Sequence, residues 1–195
     1  MPKIVNHAER RNEIVDALWR VVERDGANAV SVRSVAAEAG LSKTGMSHYF
    51  ASQGELLAVA VEQTIESVTK ESQALDLTRV TPEVAVNALM LLVPAGAEHR
   101  QRALVWLAVL NAAPDDPASQ AVLTRLNEET RNGIVRVLRG LEASGNLGEG
   151  RDVESEAAIL HGLLDGLSLQ TVTDEPFMSA AQIAALLRTQ LNSLR

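Results

Sequence analysis

One segment of this chain, residues 31–57 (SVRSVAAEAGLSKTGMSHYFASQGELL), carries closely spaced signals that start and stop short helices. Three serines stand where a side-chain oxygen can cap the first turn of a helix: Ser31, Ser42 and Ser52. Glu55 completes an S-x-x-E capping box with the last of them. Gly40 ends the first helix, because glycine tolerates the left-handed conformation that a helix stop requires. The segment therefore predicts two short helices joined by a tight turn and followed by the start of a longer helix.

Apolar residues upstream of this segment and within it recur at the spacing of one buried helix face. They predict a first helix over about His7–Arg24, closed by Asp25 and Gly26, and a short third helix from Lys43 to about Tyr49. The apolar positions that the three helices would share form one small core: Ile14, Leu18, Val22, Val32, Val35, Leu41, Met46 and Phe50. Residues 7–50 are thus expected to fold as one three-helix unit.

This arrangement, a helix-turn-helix, is the geometry by which proteins place a short helix in the major groove of DNA. Lys43 can contact a guanine or a phosphate, Thr44 a thymine methyl group or a phosphate, and Arg33 a phosphate. Gly45 lets the backbone approach DNA closely, although it costs about 1 kcal/mol of helix stability relative to alanine. For His48 two roles stay open, a phosphate contact and packing against the small core. The contact candidates on the third helix are Lys43, Thr44, Gly45, Ser47, His48 and Tyr49.

The run AAEAGLSKTGMSHYFASQGELL resembles the helix-turn-helix of the TetR (tetracycline-repressor) family of bacterial transcription regulators. The chain matches the family pattern at Ala36, Ala39, Gly40, Leu41, Ser42, Met46, Tyr49, Phe50, Ser52 and Leu56. The phrases HYFAS and GLLDGLSLQ are similar to the subgroup related to the choline-responsive repressor. The resemblance implies an all-α fold, with a DNA-binding domain at residues 1–52 and a helical effector-binding and dimerisation domain at residues 53–195.

The resemblance also implies a function. It predicts a ligand-responsive transcriptional regulator, in this family usually a repressor, that binds a palindromic operator as a homodimer and is released by a small molecule. Two-fold symmetry would place the two reading helices about one DNA turn apart, roughly 34–36 Å.

Two positions depart from the family pattern. Ser47 stands where the family usually has tyrosine, and Gln53 stands where it usually has lysine; both family residues commonly touch DNA phosphates. Ser47 and Gln53 can still donate hydrogen bonds to phosphate, so Gln53 joins the contact candidates, but it carries no charge. We therefore expect the fold to be kept and the electrostatic attraction to DNA to be weaker.

Charge is divided unevenly along the chain. The net charge is −7, but residues 1–52 hold seven Lys or Arg against six Asp or Glu, a balance of +1, and residues 53–195 hold eleven against nineteen, a balance of −8. Non-specific affinity for DNA grows with the number of phosphates that the protein neutralises. The small positive balance therefore predicts modest non-specific binding, with operator affinity resting on base contacts and paired half-sites.

Composition excludes several kinds of site. The chain has no cysteine, so it holds no disulfide, no cysteine-zinc site and no thiol nucleophile. No N-terminal apolar segment resembles a signal peptide, and no apolar run approaches the ~18 residues of a membrane span, so we expect a soluble cytoplasmic protein. Aromatic residues make up 3% of the chain, so the core must be built from Leu, Val, Ile and Ala, which suits helices.

Residues 53–195 contain six further helical patterns, which predicts about nine helices in all. Several of them begin with a capping side chain or with proline in the first turn, as at Thr81-Pro82, Asp116-Pro117, Asp152 and Ser179. Breaks between helices are expected around residues 76–80, 94–96, 145–150 and 174–176.

The last two predicted helices carry more than one apolar face, so they need more than one packing partner. The candidate dimer-interface residues lie on one seam of each helix: Leu160, Leu164, Leu167, Ile183, Leu187 and Leu191. A second face contains Ile159, Leu163 and Gly166, and Gly162 with Gly166 permits close approach of another helix. The resemblance implies a two-fold four-helix interface; the alternative is that the six seam residues face the core of the protomer.

The resemblance further implies a small-molecule pocket among the middle helices. Eight residues could line it or supply its few polar groups: Met90, Val93, Trp106, Leu110, Asn127, Thr130, His161 and Asp165. Trp106 can equally be plain core, and His161 with Asp165, four residues on, can equally be a structural pair on one helix face. The scarcity of aromatic residues argues against an aromatic cage for a quaternary ammonium, so a largely apolar, aliphatic effector fits better.

Two rival functions make different predictions. An enzyme could use His161 and Asp165, but the chain has no G-x-S-x-G, glycine-rich phosphate loop or H-E-x-x-H, and its four histidines are too scattered to hold a metal. We therefore predict no catalysis, no cofactor and no metal.

The second alternative function is that of a dimeric small-molecule or protein binder with a degenerate DNA-reading head. Ser47 and Gln53 leave this alternative possible, because they lack the usual DNA-contacting side chains. Operator binding in vitro separates this rival from a regulator.

Overall fold

The computed structural model of the chain describes residues 7–76, 79–94, 97–173 and 179–195. These ranges contain nine α-helices: α1 (His7–Asp25), α2 (Val32–Glu38), α3 (Lys43–Ser47), α4 (Gln53–Gln73), α5 (Pro82–Met90), α6 (Ala97–Ala112), α7 (Pro117–Ala143), α8 (Val153–Thr173) and α9 (Ala180–Ser193). A 3-10 turn at Ala27–Ala29, which the sequence did not predict, joins α1 to α2. The all-α fold is confirmed. The predicted breaks at 76–80, 94–96 and 174–176 lie partly or wholly outside the described residues.

Side-chain caps decide where the helices begin. The hydroxyls of Ser42, Thr81 and Ser179 each accept a hydrogen bond from the backbone N–H three residues on, as predicted. Gly40, with φ +66°, follows α2, and Gly145, with φ +67°, follows α7, so both glycines take the left-handed conformation expected of a helix stop.

Helix α3 is shorter than predicted. It ends at Ser47 and not near Tyr49, because the backbone N–H groups of Tyr49 and Phe50 both bond to the carbonyl oxygen of Met46. The chain turns sharply there, and this turn brings Phe50 into the core.

The chain packs as two compact units. Unit 1 comprises Met1–Gln63 and Leu104–Thr124, and unit 2 comprises Thr64–Ala103 and Arg125–Arg195. The division therefore falls within α4, α6 and α7. The predicted boundary between functional domains at residues 52 and 53 stays a prediction.

Unit 1 is built around α1, which packs against α2 and the 3-10 turn, while α2 packs against α3. Six of the eight residues predicted for its small core are buried: Ile14, Leu18, Val22, Val35, Met46 and Phe50. Val32 and Leu41 are only half-buried, because Val32 is the first residue of α2 and Leu41 lies just before α3, and both helix starts are near the surface.

Unit 2 has an aliphatic core formed by α5, α7, α8 and α9, with α5 packed against α9. All six residues predicted for the dimer interface lie in this core, none more than 3% exposed: Leu160, Leu164, Leu167, Ile183, Leu187 and Leu191. The structure thus places them where the alternative had them, in the core of a single chain. The core needs this seam, since it also encloses Ile134, Leu138 and Leu141 of α7.

Replacing the fully buried Leu160 with alanine is expected to lower the free energy of unfolding by about 2–5 kcal/mol, because it leaves a cavity among aliphatic neighbours. Leu110→Ala is the matched control; that leucine is 42% exposed, so its loss should cost about 1 kcal/mol or less. Urea unfolding followed by circular dichroism measures both. Equal costs for the two variants would contradict the described core.

Candidate nucleic-acid interface

Helix α3 has one buried side and one open side. Met46 is fully buried beneath it, and Phe50 enters the core directly after it. The other side chains of the helix and its immediate end point outward, since Lys43, Thr44, Ser47 and His48 are all exposed. The exposure of His48 favours the first of its two predicted roles, a surface contact, over packing in the core.

The first turn of α3 is closed by its own cap. Ser42 Oγ accepts the backbone N–H of Gly45 at 3.0 Å, and the Ser47 hydroxyl donates to the carbonyl oxygen of Thr44 at 2.9 Å. A Cβ atom at Gly45 would lie 3.3 Å from Ser42 Oγ and 3.7 Å from Leu41 Cδ2, so alanine would need only a small shift. Internal packing therefore gives little reason for glycine at this half-buried position, which favours an external reason such as close approach of DNA.

Arg11 of α1 holds the segment that follows α3. Its Nη1 atom donates a hydrogen bond to the carbonyl oxygen of Tyr49 at 2.7 Å, and its guanidinium carbon lies 4.4 Å from the centroid of the Phe50 ring. Glu55 stands 3.9 Å from the same guanidinium, and the His7 ring lies 4.6 Å from the half-buried Tyr49 ring, centroid to centroid. In sequence Arg11 is only one of several charges on α1, so no local signal distinguishes it.

Ser52 caps α4 as predicted, but the reciprocal bond of the predicted capping box comes from Ala51, one residue before the cap. Ser52 Oγ accepts the N–H of Glu55 at 3.0 Å, and Glu55 Oε2 accepts the N–H of Ala51 at 2.7 Å. Gln53, the first residue of the helix, is exposed. The structure thus places the eight predicted contact residues on α2, on α3 with the segment after it, and on the first residue of α4, all within unit 1. Six of them are exposed, and Gly45 and Tyr49 are half-buried.

Ion pairs leave little free positive charge in this region. Glu38 binds Arg24 at 2.8 Å and Arg20 at 2.9 Å, and these hydrogen bonds lower the pKa of the Glu38 carboxyl. Arg10 pairs with Glu13, and Arg11 faces Glu55. Among the described lysine and arginine residues before residue 53, only Arg33 and Lys43 form no ion pair. Both are predicted DNA contacts, and both are exposed.

The predicted effector residues are divided between the two units. Trp106 and Leu110 belong to unit 1, and the other six belong to unit 2. Val93 is part of the packed core of unit 2, and the side chains of Asn127 and Asp165 are exposed. Leu110 is also exposed, whereas Met90, Trp106 and Thr130 are half-buried. Unit 2 has an open cavity of about 410 Å³ that contains none of the eight and is lined by Arg79, Val80, Thr81, Ala143, Ser144 and Asn146.

His161 and Asp165 face each other on α8 without a hydrogen bond, with Nε2 and Oδ1 3.9 Å apart. Partial burial raises the pKa of the Asp165 carboxyl, and the nearby His161 opposes that rise. The geometry is that of a loose pair on one helix face and not of a preorganised acid–base dyad. Across the ranges that the structure describes, no cluster of three His, Asp or Glu side chains could hold a metal ion, and no helix is long and apolar enough to cross a membrane.

Comparison with known families gives two matches along the chain. Residues 14–60 match the family of bacterial regulatory proteins of the tetR type, and residues 82–195 match the C-terminal domain of BetI-type transcriptional repressors. The first match spans α1 to the first part of α4, and therefore includes α3 and Gln53.

Individual relatives agree with these matches. The chain is 30% identical to the HTH-type transcriptional regulator PksA of Bacillus subtilis, over all of this chain and 94% of PksA. It is 27% identical to the HTH-type transcriptional regulator BetI of Rhizobium meliloti, over 94% of this chain and 89% of that protein. A transcriptional regulator from Saccharomonospora viridis, solved in complex with choline, has the same fold, with a TM-score of 0.79 at 23% identity over 93% of this chain and 95% of that one.

The helix-turn-helix geometry, the two family matches and the full-length relatives lead to one assignment. The chain belongs to the TetR family of helix-turn-helix transcriptional regulators and carries a BetI-type C-terminal domain.

Proposed function

We propose that this regulator is a cytoplasmic homodimeric repressor that binds a palindromic operator through α3 and is released from it by a small molecule. The main support for this proposal is that α3 has one buried and one exposed side. Met46 anchors the helix in the core, and Lys43 and Thr44 at its start are exposed. The only unpaired lysine and arginine side chains described in this region, Arg33 and Lys43, are available for phosphates and bases. Regulators of this family are not enzymes, so binding is the whole of the function.

The second apolar face of α8 supports the dimer. Ile159 is 57% exposed, Leu163 is partly exposed, and Cβ atoms added at Gly162 or Gly166 would meet nothing within 4 Å. These four positions recur at steps of three and four, so they form one stripe on the helix surface. An exposed apolar stripe with two glycines allows the same stripe of a second copy to approach closely. We therefore assign the dimer contact to this stripe in place of the seam buried in the protomer.

The effector proposed for this chain is small and largely apolar. The Saccharomonospora viridis regulator was solved with choline, a quaternary ammonium that proteins commonly hold in an aromatic cage. Residues 53–195 of this chain contain two aromatic residues, Trp106 and Phe177, and the second lies outside the described residues. Trp106 is half-buried, which suits one wall of an apolar site. Release from DNA requires that the effector prefer the non-operator conformation, by about 5.5 kcal/mol for a shift from 1:99 to 99:1.

Replacing Lys43 and Thr44 together with alanine is expected to lower affinity for a selected operator at least a hundredfold, because a good base contact contributes about 1–3 kcal/mol and the dimer loses each contact twice. Fluorescence anisotropy with labelled duplex measures the affinity, and sedimentation checks that the dimer persists. Thr69→Ala with Lys70→Ala, which removes a threonine and a lysine near the C-terminal end of α4, should leave affinity within threefold. Undiminished operator binding by the Lys43 and Thr44 variant would show that α3 does not read DNA.

Gln53→Lys is expected to strengthen DNA binding by restoring the charge that the family usually has at this exposed helix start. Each added phosphate contact makes the slope of log K against log salt steeper by about 0.9, so a dimer should gain about 1.8. Gln73→Lys, at the exposed far end of the same helix, is the control and should leave the slope unchanged. Equal slopes for the Gln53 variant and the unsubstituted protein would place Gln53 away from the phosphates.

Ile159→Glu is expected to convert the dimer to monomers at micromolar concentration, because it would bury two unpaired carboxylates at the two-fold contact. Operator affinity should fall with it, since a monomer holds only one half-site. Leu110→Glu makes the same change at an exposed position of α6 and should leave the dimer intact. Sedimentation velocity reports the mass of each variant. A dimeric Ile159→Glu protein would move the interface away from this stripe.

A further inference from the structure

The carboxylate of Asp116, just before α7, lies directly against Gly54 in the first turn of α4. A Cβ atom added at the buried Gly54 would lie 2.6 Å from Asp116 Oδ1 and still closer to its Cγ and Oδ2 atoms. Real Cβ atoms do not approach other atoms this closely, so only glycine permits the contact as it stands. Both residues belong to unit 1.

Asp116 has little freedom to move away from Gly54. Its Oδ2 accepts the backbone N–H of Ser119 at 2.7 Å, which caps α7, and its carbonyl oxygen accepts the N–H of Gln120 at 3.0 Å. Pro117 follows immediately and restricts the backbone conformation of Asp116 to the extended region. Rotating the side chain away would break the cap of a helix of 27 residues.

One hydroxyl connects the caps of the two helices. Ser52 Oγ accepts the N–H of Glu55 as the cap of α4, and it approaches Asp116 Oδ1 at 3.5 Å as a donor. The Asp116 carboxylate therefore stands at the N-terminal ends of both α7 and α4, where a negative charge is favoured. The hydrogen bond from the Ser119 backbone, with a smaller contribution from Ser52, holds the pKa of Asp116 below its usual range, so the group is charged at neutral pH.

We propose that Asp116 is a positioning residue for DNA binding: its carboxylate, packed on Gly54 and linked to Ser52, fixes the first turn of α4 and thereby the neighbouring Gln53. The fixed turn presents Gln53 to the phosphate backbone in one orientation. This proposal rests on the proposed DNA-binding function and adds to it the contact that sets the geometry of α4.

A double-mutant cycle in the full-length dimer tests the proposal. Gly54→Ala should lower affinity for the selected operator at least tenfold, because the new methyl group displaces the carboxylate. Asp116→Ala should itself lower affinity, because the α4 turn loses its support, but it also removes the obstacle, so adding Gly54→Ala to it should cost less than a further twofold. Asp116→Asn keeps the cap and the shape and should stay within threefold of the unsubstituted protein. Gly133→Ala in α7, where the nearest atom would lie 3.9 Å from the new Cβ, is the glycine control and should not alter affinity.

Thermal unfolding of the same five variants, together with the operator measurements, separates this proposal from the proposed function. If the unsubstituted dimer selects no operator, the proposed function fails, whatever the cycle shows. If it binds operator and Gly54→Ala leaves affinity unchanged, or lowers it equally in both Asp116 backgrounds, the positioning role is overturned. A coupling seen in the melting temperature but absent from operator affinity also overturns it, because the contact would then be structural only.

Discussion

A helix of five residues does not hold itself folded in water, so α3 depends on the core beneath it. Met46 and Phe50 supply that anchor from below, Ser42 caps the first turn, and Arg11 binds the carbonyl oxygen at the far end while its guanidinium lies over Phe50. These contacts involve one side and both ends of α3. The side chains on its other side are exposed and do not take part in the packing. The polar residues exposed there can therefore differ from one protein to another without loss of the fold.

Local chemistry explains why much of this architecture was predictable from sequence. Each short helix starts at a hydroxyl side chain and several stop at glycine, and such signals act within three or four residues, so the caps at Ser31, Ser42 and Ser52 needed no tertiary information. The apolar spacing of α1 likewise identified Ile14, Leu18 and Val22 as core residues of unit 1. The same locality explains the failure at the end of α3, where the tertiary demand to bury Phe50 ended the helix two residues early.

Features that depend on distant residues were not predictable in the same way. Arg11 and Tyr49 are 38 positions apart, and Ser52 and Asp116 are 64 apart, so neither contact leaves a local pattern. On α8 the sequence showed two apolar faces but could not rank them, since the choice depends on which face α5, α7 and α9 cover. The covered seam forms the core of unit 2, whereas Ile159 on the other face is exposed and Leu163 beside it is only partly buried. The effector site was least predictable, because half-buried residues such as Met90 and Trp106 serve a core and a cavity equally well.

Selection of bound sequences from a random pool of duplex DNA, at moderate salt and with the unsubstituted dimer, tests the central claim most directly. Two copies of α3 related by a two-fold axis should enrich an inverted repeat whose half-site centres lie about one helical turn, 10–10.5 base pairs, apart. Absence of enrichment by a folded, dimeric protein would contradict the account and favour a helical binder whose reading head no longer recognises DNA.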